Sequence, residues 1–299
     1  MKSGIRSISV FSPAKVNLFL AVTGKRSDGF HDILSVVAPL LFGDVVTIEA
    51  RAGNGEIDCL CPGGLRLPAG EENLAARAAR AWLSMARREW NVCITISKRI
   101  PVGGGLGGGS SNAVATLHAL NLLAKVPLPL ETLLDLAGEL GSDCPLFLFG
   151  EPCLLEGRGE LVKPLPAGVA ERFRGDRLLL FAPSLGMDTP EVYGRLARNP
   201  DWYSDKVDAV ARLAAWTKGN DGVDVLLAND LQKPVFEKCP GFPVLLDDLS
   251  KKFGWTCGMS GSGSCCFALL ENDLEIADGI DAIRSAWGQE CFVEETAFA

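Results

Sequence analysis

Six glycines fall within the eleven residues Pro101-Val-Gly-Gly-Gly-Leu-Gly-Gly-Gly-Ser-Ser111, and this run constrains the chain more than any other feature. Ahead of it, Val92-Cys-Ile-Thr-Ile-Ser97 alternates, with Val92, Ile94 and Ile96 on one face as in a half-buried strand. Behind it, the small and apolar residues from Ser110 to Ala124 predict a packed helix opened by Ser or Asn caps. A strand, a glycine loop and a helix N-terminus together make an anion site. Backbone N–H groups free of side chains approach phosphate oxygens closely, and the helix end adds roughly half a positive charge. The loop is expected to hold a phosphate.

The kind of phosphate loop narrows the field. A Walker loop places Lys before its Ser or Thr, and no Lys precedes Ser110. A dinucleotide fingerprint belongs early in a βαβ repeat, which this chain does not show. Protein-kinase loops come with DFG and HRD strings, and neither is present.

Composition bounds the class. The chain has 299 residues, 47% hydrophobic and 22% charged, as an ordinary globule of two domains or one large one would. Acidic residues exceed basic ones by 37 − 29 = 8. That balance disfavours nucleic acid and anionic membranes as partners. No apolar run approaches the ~18 residues of a membrane span. Lys15 and Asn17 interrupt the N-terminal apolar stretch, so no signal peptide is expected. Ten cysteines without a CxxC pair, beside two histidines, predict reduced thiols in a cytoplasmic protein and no protein-held metal. His118, inside the apolar helix, is expected in the core.

Turn residues at Ser27-Asp-Gly29 and Gly53-Asn-Gly55 punctuate short strands at 7–11, 16–22, 33–41, 44–50 and 57–60. Helices are expected from Asn73 to about Arg88 and over Leu130–Leu140. The pattern weakens at 164–176 into Pro, Gly and charge. Beyond it come a strand at 177–182, a helix capped by Thr189, helices at about 207–216, 231–238 and 243–253, strands at 256–259 and 266–270, a helix at 275–287 and a strand at 291–295. The last strand pair brackets a second glycine loop, Ser260-Gly-Ser-Gly-Ser264. The mixture without strict alternation reads as α+β in two domains, 1–170 and 171–299.

Two charged residues stand out. Lys15 enters an apolar strand, which is costly unless its ammonium meets an anion. A snorkelling surface Lys is the plain alternative. Asp143 lies in Gly141-Ser-Asp-Cys-Pro145, where it could cap a turn. Together they offer a cation and a base beside a phosphate loop, which suits phosphoryl transfer.

Pro13-Ala-Lys-Val-Asn17, the GGGLGGGSS loop and Ser260-Gly-Ser-Gly-Ser264 resemble the three motifs of the GHMP kinases, over about residues 8 to 270. Lys15 with Asn17, Ser27-Asp-Gly-Phe-His31, the doubled glycine triplet and Gly141-Ser-Asp-Cys-Pro145 are similar to one branch of it, acting in non-mevalonate isoprenoid biosynthesis. The resemblance implies an N-terminal domain of the ribosomal-protein-S5-domain-2-like type and a ferredoxin-like C-terminal domain. It implies ATP with Mg²⁺, the phosphates lying on Pro101, Gly103, Gly104, Gly105, Leu106, Gly107, Gly108, Gly109, Ser110 and Ser111, with Asn73 and Lys98 contributing. The acceptor implied is the 2-hydroxyl of a cytidine-diphosphate derivative of methylerythritol. Asp143 would take or orient the hydroxyl proton, and Lys15 would keep Asp143 ionised and neutralise the transferred group. Asn17, Thr189, Phe30, His31 and Tyr193 would meet the substrate, His31 bonding the base while Phe30 and Tyr193 stack on it. Many members of the branch carry Tyr at position 30 and Phe at position 193, an exchange that preserves stacking. A monomer or homodimer is expected. Alternatives are a homoserine- or mevalonate-type kinase of the same family, and a nucleotide-binding regulator without catalysis.

Overall fold

The computed structural model describes residues 4–63, 73–270 and 275–299. In chain order the elements are β1 (Arg6–Lys25), β2 (His31–Ala52), β3 (Ile57–Leu60), α1 (Leu74–Met85), β4 (Trp90–Ser97), α2 (Gly108–Leu123), α3 (Leu130–Leu140) and the single turn α4 (Leu146–Phe149). There follow β5 (Cys153–Glu156), β6 (Leu161–Pro164), α5 (Ala167–Ala170), β7 (Arg177–Ala182), α6 (Thr189–Ala197), α7 (Lys206–Lys218) and β8 (Ala228–Asn229). The chain closes with α8 (Gln232–Lys238), α9 (Gly241–Phe253), β9 (Thr256–Met259), β10 (Cys266–Leu270), α10 (Ile276–Trp287) and β11 (Phe292–Ala297). Two compact units form, and neither is a continuous stretch. The first comprises 1–14, 42–100 and 107–150; the second comprises 15–41, 101–106 and 151–299.

In the first unit, β4 pairs antiparallel with β2 from Val45↔Ser97 to Ala52↔Trp90, and parallel with β3 at Ile57↔Val92. The alternation of β4 puts Val92, Ile94 and Ile96 on one face, where they join Val46 and Ile48 beneath α1, α2 and α3. Ala75, Ala78 and Ala79 of α1 and Ala113 and Ala119 of α2 are buried there, since small side chains let helices pack closely. Asn73 caps α1, its Oδ1 accepting from the N–H groups of Ala75 and Ala76. Trp82 is fully buried and its Nε1 donates to Asn121 Oδ1 at 3.2 Å.

In the second unit, β1 pairs parallel with β8 at Phe19↔Ala228 and Leu20↔Asn229, and β2 pairs antiparallel with β5 at Ser35↔Leu155. A separate antiparallel sheet has the order β11-β7-β10-β9. Leu179, Phe181, Cys266 and Ala268 of that sheet share a core with Val192 and Leu196 of α6, Val235 of α8, Leu245 and Leu249 of α9 and Ile283 of α10.

Several expectations are corrected. The four short strands over 7–50 are two long ones, because an extended chain accommodates the fixed φ of Pro13 at the loss of one donor. The helix after the glycine run starts at Gly108, not at a Ser or Asn cap, and its N-cap is Gly107 at φ 71°. Thr189 is the first residue of α6, with Asp188 at the N-cap position. His118 is exposed on α2 rather than in the core.

Candidate active site

The glycine run divides between the units, Pro101–Leu106 falling in the second and Gly107–Ser111 opening α2 in the first. Gly103, Gly105 and Gly107 have φ of 72°, 75° and 71°, a left-handed conformation at every second residue. Left-handed residues of this kind are the backbone element from which anion-binding nests are built.

In the first unit a buried polar cluster supports the start of α2. Asp44, fully buried, accepts from Lys98 Nζ at 2.5 Å, the N–H groups of Arg99 and Ile100 at 2.7 and 2.8 Å, and Asn112 Nδ2 at 2.9 Å. Asn112 Nδ2 also reaches Ser12 Oγ at 2.8 Å, and Ser12 donates to Ser111 at 2.8 Å. Lys98 is therefore half of a desolvated ion pair, with side chains 8% and 0% exposed. A Cβ on Gly108 would lie 2.8 Å from Lys98 Nζ, so the ammonium sits directly against the first residue of α2. Asn73 is engaged at the α1 cap, and its Nδ2 donates to Cys59 Sγ at 3.4 Å.

Ser110 hydrogen-bonds the Cys144 thiol, whose burial pushes its pKa up to about 11. Asp143 is the neighbouring residue, in the turn between α3 and α4. It is half-buried, and its carboxylate forms no hydrogen bond or ion pair with the described residues. It does not cap the turn.

In the second unit Lys15 is 4% exposed and donates from Nζ to Asn17 Oδ1 at 2.6 Å. Its N–H donates to the carbonyl of Leu106, itself buried. Asn17 Nδ2 donates to Ser35, which donates on to the Phe19 carbonyl. The second glycine loop holds the other half of the first. Ser260 Oγ accepts from the Asn17 N–H at 3.3 Å and donates to the Gly105 carbonyl at 2.9 Å, while the Cys265 N–H donates to the Gly104 carbonyl at 3.0 Å. A Cβ on Gly105 would collide with the Ser260 carbonyl oxygen. Asn229, at the end of β8, donates from Nδ2 to the carbonyls of Met259 and Gly261, each at 2.8 Å. Thr189 pairs with Ser262 at 2.8 Å, so its hydroxyl belongs to this brace.

A second cluster of the same unit is aromatic. His31 is 9% exposed, with its ring centroid 4.9 Å from that of Tyr193 and 6.0 Å from that of Tyr203. Its Nε2 and the Tyr203 hydroxyl are both buried without a hydrogen-bond partner. Burial holds the His31 pKa below its ordinary value, and the charge of Lys25 acts in the same direction. Phe30, next along the chain, is half exposed. Buried polar atoms are seldom left unpaired, so these two stand out in the aromatic cluster.

Sequence reasoning missed Asp44, Ser260 as a tie between the loops, and Asn229. Asp44 had a signal, a carboxylate inside an apolar strand. Asn229-Asp230 ends the apolar Val225-Leu-Leu-Ala228, but nothing in the sequence names their partners. Among the described residues no group of three His, Cys, Asp or Glu side chains is placed to hold a metal, the cysteines are free, and no helix is long and apolar enough to cross a membrane.

A glycine run with left-handed residues that opens α2, and a second glycine loop tied to the first half of that run, are the marks of a phosphate-handling fold. The family profile "GHMP kinases N terminal domain" matches residues 73–151, and "GHMP kinases C terminal" matches 208–289. The chain belongs to the GHMP kinases. It is 33% identical over 298 residues to the 4-diphosphocytidyl-2-C-methyl-D-erythritol kinase of Methylacidiphilum infernorum, covering 96% of this chain and 95% of that protein. Identity to the kinase of the same name from Thermotoga maritima is 36% over 279 residues, covering 90% and 94%. A crystal structure of 4-(cytidine 5′-diphospho)-2C-methyl-D-erythritol kinase superposes with a TM-score of 0.76 at 32% identity, over 98% of this chain and all of that one. Homoserine kinase from Cytophaga hutchinsonii has a TM-score of 0.72 at 19% identity over 98% and 95%, which shows a shared fold.

Proposed function

We propose that the chain transfers the γ-phosphoryl group of ATP to the 2-hydroxyl of 4-diphosphocytidyl-2-C-methyl-D-erythritol, a step of non-mevalonate isoprenoid-precursor synthesis. The observation that carries the cytidine reading is His31 Nε2, buried and unpartnered beside Tyr193. A pyrimidine edge supplies the missing hydrogen bond, and its faces stack on Phe30 and Tyr193. The left-handed glycines 103, 105 and 107 support a phosphate cradle, and we place Asn73 and Lys98 beside the nucleotide, where the α1 cap and the pair with Asp44 hold them.

The chemistry divides among these groups. Asp143, with no internal partner to compete, takes the proton of the 2-hydroxyl or orients it, and general bases of this kind contribute about 10²–10⁴-fold. The hydroxyl oxygen then forms a bond to Pγ as the bond to the β–γ bridging oxygen breaks and ADP leaves. Lys15 neutralises charge on the transferred phosphoryl oxygens, and the N-terminus of α2 does the same for the nucleotide phosphates. Asn17 holds the Lys15 ammonium in place, and Thr189 steadies the second loop through Ser262. Mg²⁺ would be held by the ATP phosphates on the glycine run and would offset their negative charge there. We place the boundary of the two family domains near residue 170, as 1–170 and 171–299, and the protein in the cytoplasm as a monomer or homodimer.

The test is ADP release with Mg-ATP and the cytidine substrate, against homoserine and mevalonate. Turnover with the cytidine substrate alone supports the proposal. Turnover only with a control alcohol overturns the cytidine assignments, and ATP binding without turnover on any of the three overturns the kinase.

A further inference from the structure

A tight turn next to the aromatic cluster carries a cation that none of the roles above uses. The β5–β6 hairpin turns through Gly157-Arg158-Gly159, whose glycines have φ of 69° and 111°. The turn is fastened to the aromatic strand, because the Ile33 N–H donates to the Gly157 carbonyl at 2.7 Å. The Arg158 N–H is also tied, donating to Glu160 Oε2 at 2.6 Å. The backbone under this arginine is fixed from both sides.

Its side chain is placed without being consumed. The guanidinium carbon lies 4.9 Å from the centroid of the Phe30 ring. Stacking of this kind is worth about 0.5–1 kcal/mol at an exposed site, enough to bias a long side chain towards one pose. No carboxylate of the described residues pairs with Arg158. The nearby acids are committed elsewhere. Asp28 accepts from Arg26 Nε at 3.0 Å and from the Phe30 N–H at 3.1 Å, and Asp32 accepts from Arg26 Nη1 at 2.9 Å. The result is a planar fork of N–H donors that lies over an aromatic ring and whose charge helps to lower the Asp28 pKa from a distance but is not hydrogen-bonded to any carboxylate of the described residues.

That fork matches two oxygens of one phosphate or a bridging pair on a diphosphate, and a guanidinium meets such oxygens with charge-assisted, often bidentate bonds. We infer that Arg158 binds the diphosphate of the cytidine substrate, so that Phe30 places the base and, through its ring, the cation that grips the anion attached to it. The inference rests on the base-recognition reading of His31, Phe30 and Tyr193. It extends that reading from the base to the charged linker, and gives Phe30 two tasks where stacking alone gave one.

The experiment measures binding of cytidine, CMP and CDP, with Mg-ADP saturating the nucleotide site, to the wild type and to Arg158→Ala and Arg158→Lys. The wild type is expected to bind CDP about tenfold or more tightly than cytidine, the scale of one charge-assisted contact. In Arg158→Ala that advantage shrinks to about twofold while cytidine affinity holds, and Arg158→Lys recovers part of it as a point charge without the fork. In turnover, Arg158→Ala raises KM for the cytidine substrate about tenfold and leaves kcat and the KM for ATP near wild type. An undiminished CDP advantage in Arg158→Ala overturns the inference, as does a fall in cytidine affinity of the same size. If cytidine fails to bind the wild type but CDP binds through Arg158, the base reading fails and the diphosphate contact stands. If neither binds, both fall.

Discussion

The Ser260 hydroxyl donates to the Gly105 carbonyl at 2.9 Å and thereby fastens the second glycine loop to the first. The same oxygen accepts from the Asn17 N–H, two residues along β1 from Lys15, whose ammonium Asn17 holds. Ser260→Ala removes both bonds at a site 1% exposed, leaving a buried donor and acceptor unsatisfied, so it is expected to cost about 1–3 kcal/mol of stability. Turnover should fall with it, because Lys15 and the loop lose a common support. Thermal unfolding and steady-state rates check this, and an unchanged kcat would separate the brace from catalysis.

Lys98→Met keeps the volume of the side chain and leaves Asp44 charged, fully buried and short of its cation. Breaking such a pair costs about 3–5 kcal/mol. Lys98→Met with Asp44→Asn is expected to regain part of the loss. Urea midpoints of the wild type and the two variants read it directly. A loss below about 1 kcal/mol in the single variant would mean that the pair behaves as a solvent-screened one.

Asp143→Asn should lower kcat by about 10²–10⁴-fold and leave the unfolding midpoint in place, since the carboxylate has no internal partner to lose. Near-normal turnover removes Asp143 from the mechanism. A large drop in stability would instead assign it a structural role.

The His31 pKa lies below its ordinary value through burial, with Lys25 adding to the effect. As pH falls through about 6.5 the unfolded chain takes up this proton before the folded one. Stability contributed by neutral His31 is therefore present above that pH, declines below it, and is gone beneath the folded value. His31→Gln should flatten this part of the stability profile and raise KM for the cytidine substrate more than for ATP. Denaturant midpoints at about pH 7.5 and about pH 5.5 test the sign. A wild-type protein no less stable at the lower pH, relative to the variant, contradicts it.

Local pattern sufficed wherever one residue's neighbours in sequence decide its state. The alternation of Val92, Ile94 and Ile96 gave β4, and the Asn73 cap gave the start of α1, because both depend on a few adjacent residues. β1 and β2 did not read as single long strands, since Pro13 and Gly43 carry local break signals that pairing with neighbouring strands overrides. In the candidate site, the left-handed glycine run ahead of α2 was legible from glycine content alone. The supports were not. Ser260 meets Gly105 from 155 residues away, and Asn229 meets Met259 from 30 away. Such long-range ties leave no spacing to read. Asp44 was visible as an anomaly, but its cation, Lys98, looked equally fit for a nucleotide.

The most direct measurement is the proton-coupled ³¹P spectrum of the product formed from Mg-ATP and 4-diphosphocytidyl-2-C-methyl-D-erythritol. The 2-carbon bears a methyl group and no hydrogen, so phosphorylation of its hydroxyl gives a new monoester resonance without three-bond splitting by hydrogen. That singlet is expected to appear in step with ADP and to be abolished in Asp143→Asn. A doublet or triplet would place the phosphoryl group on another hydroxyl, and no new resonance in a folded, ATP-binding sample would contradict the proposed reaction itself.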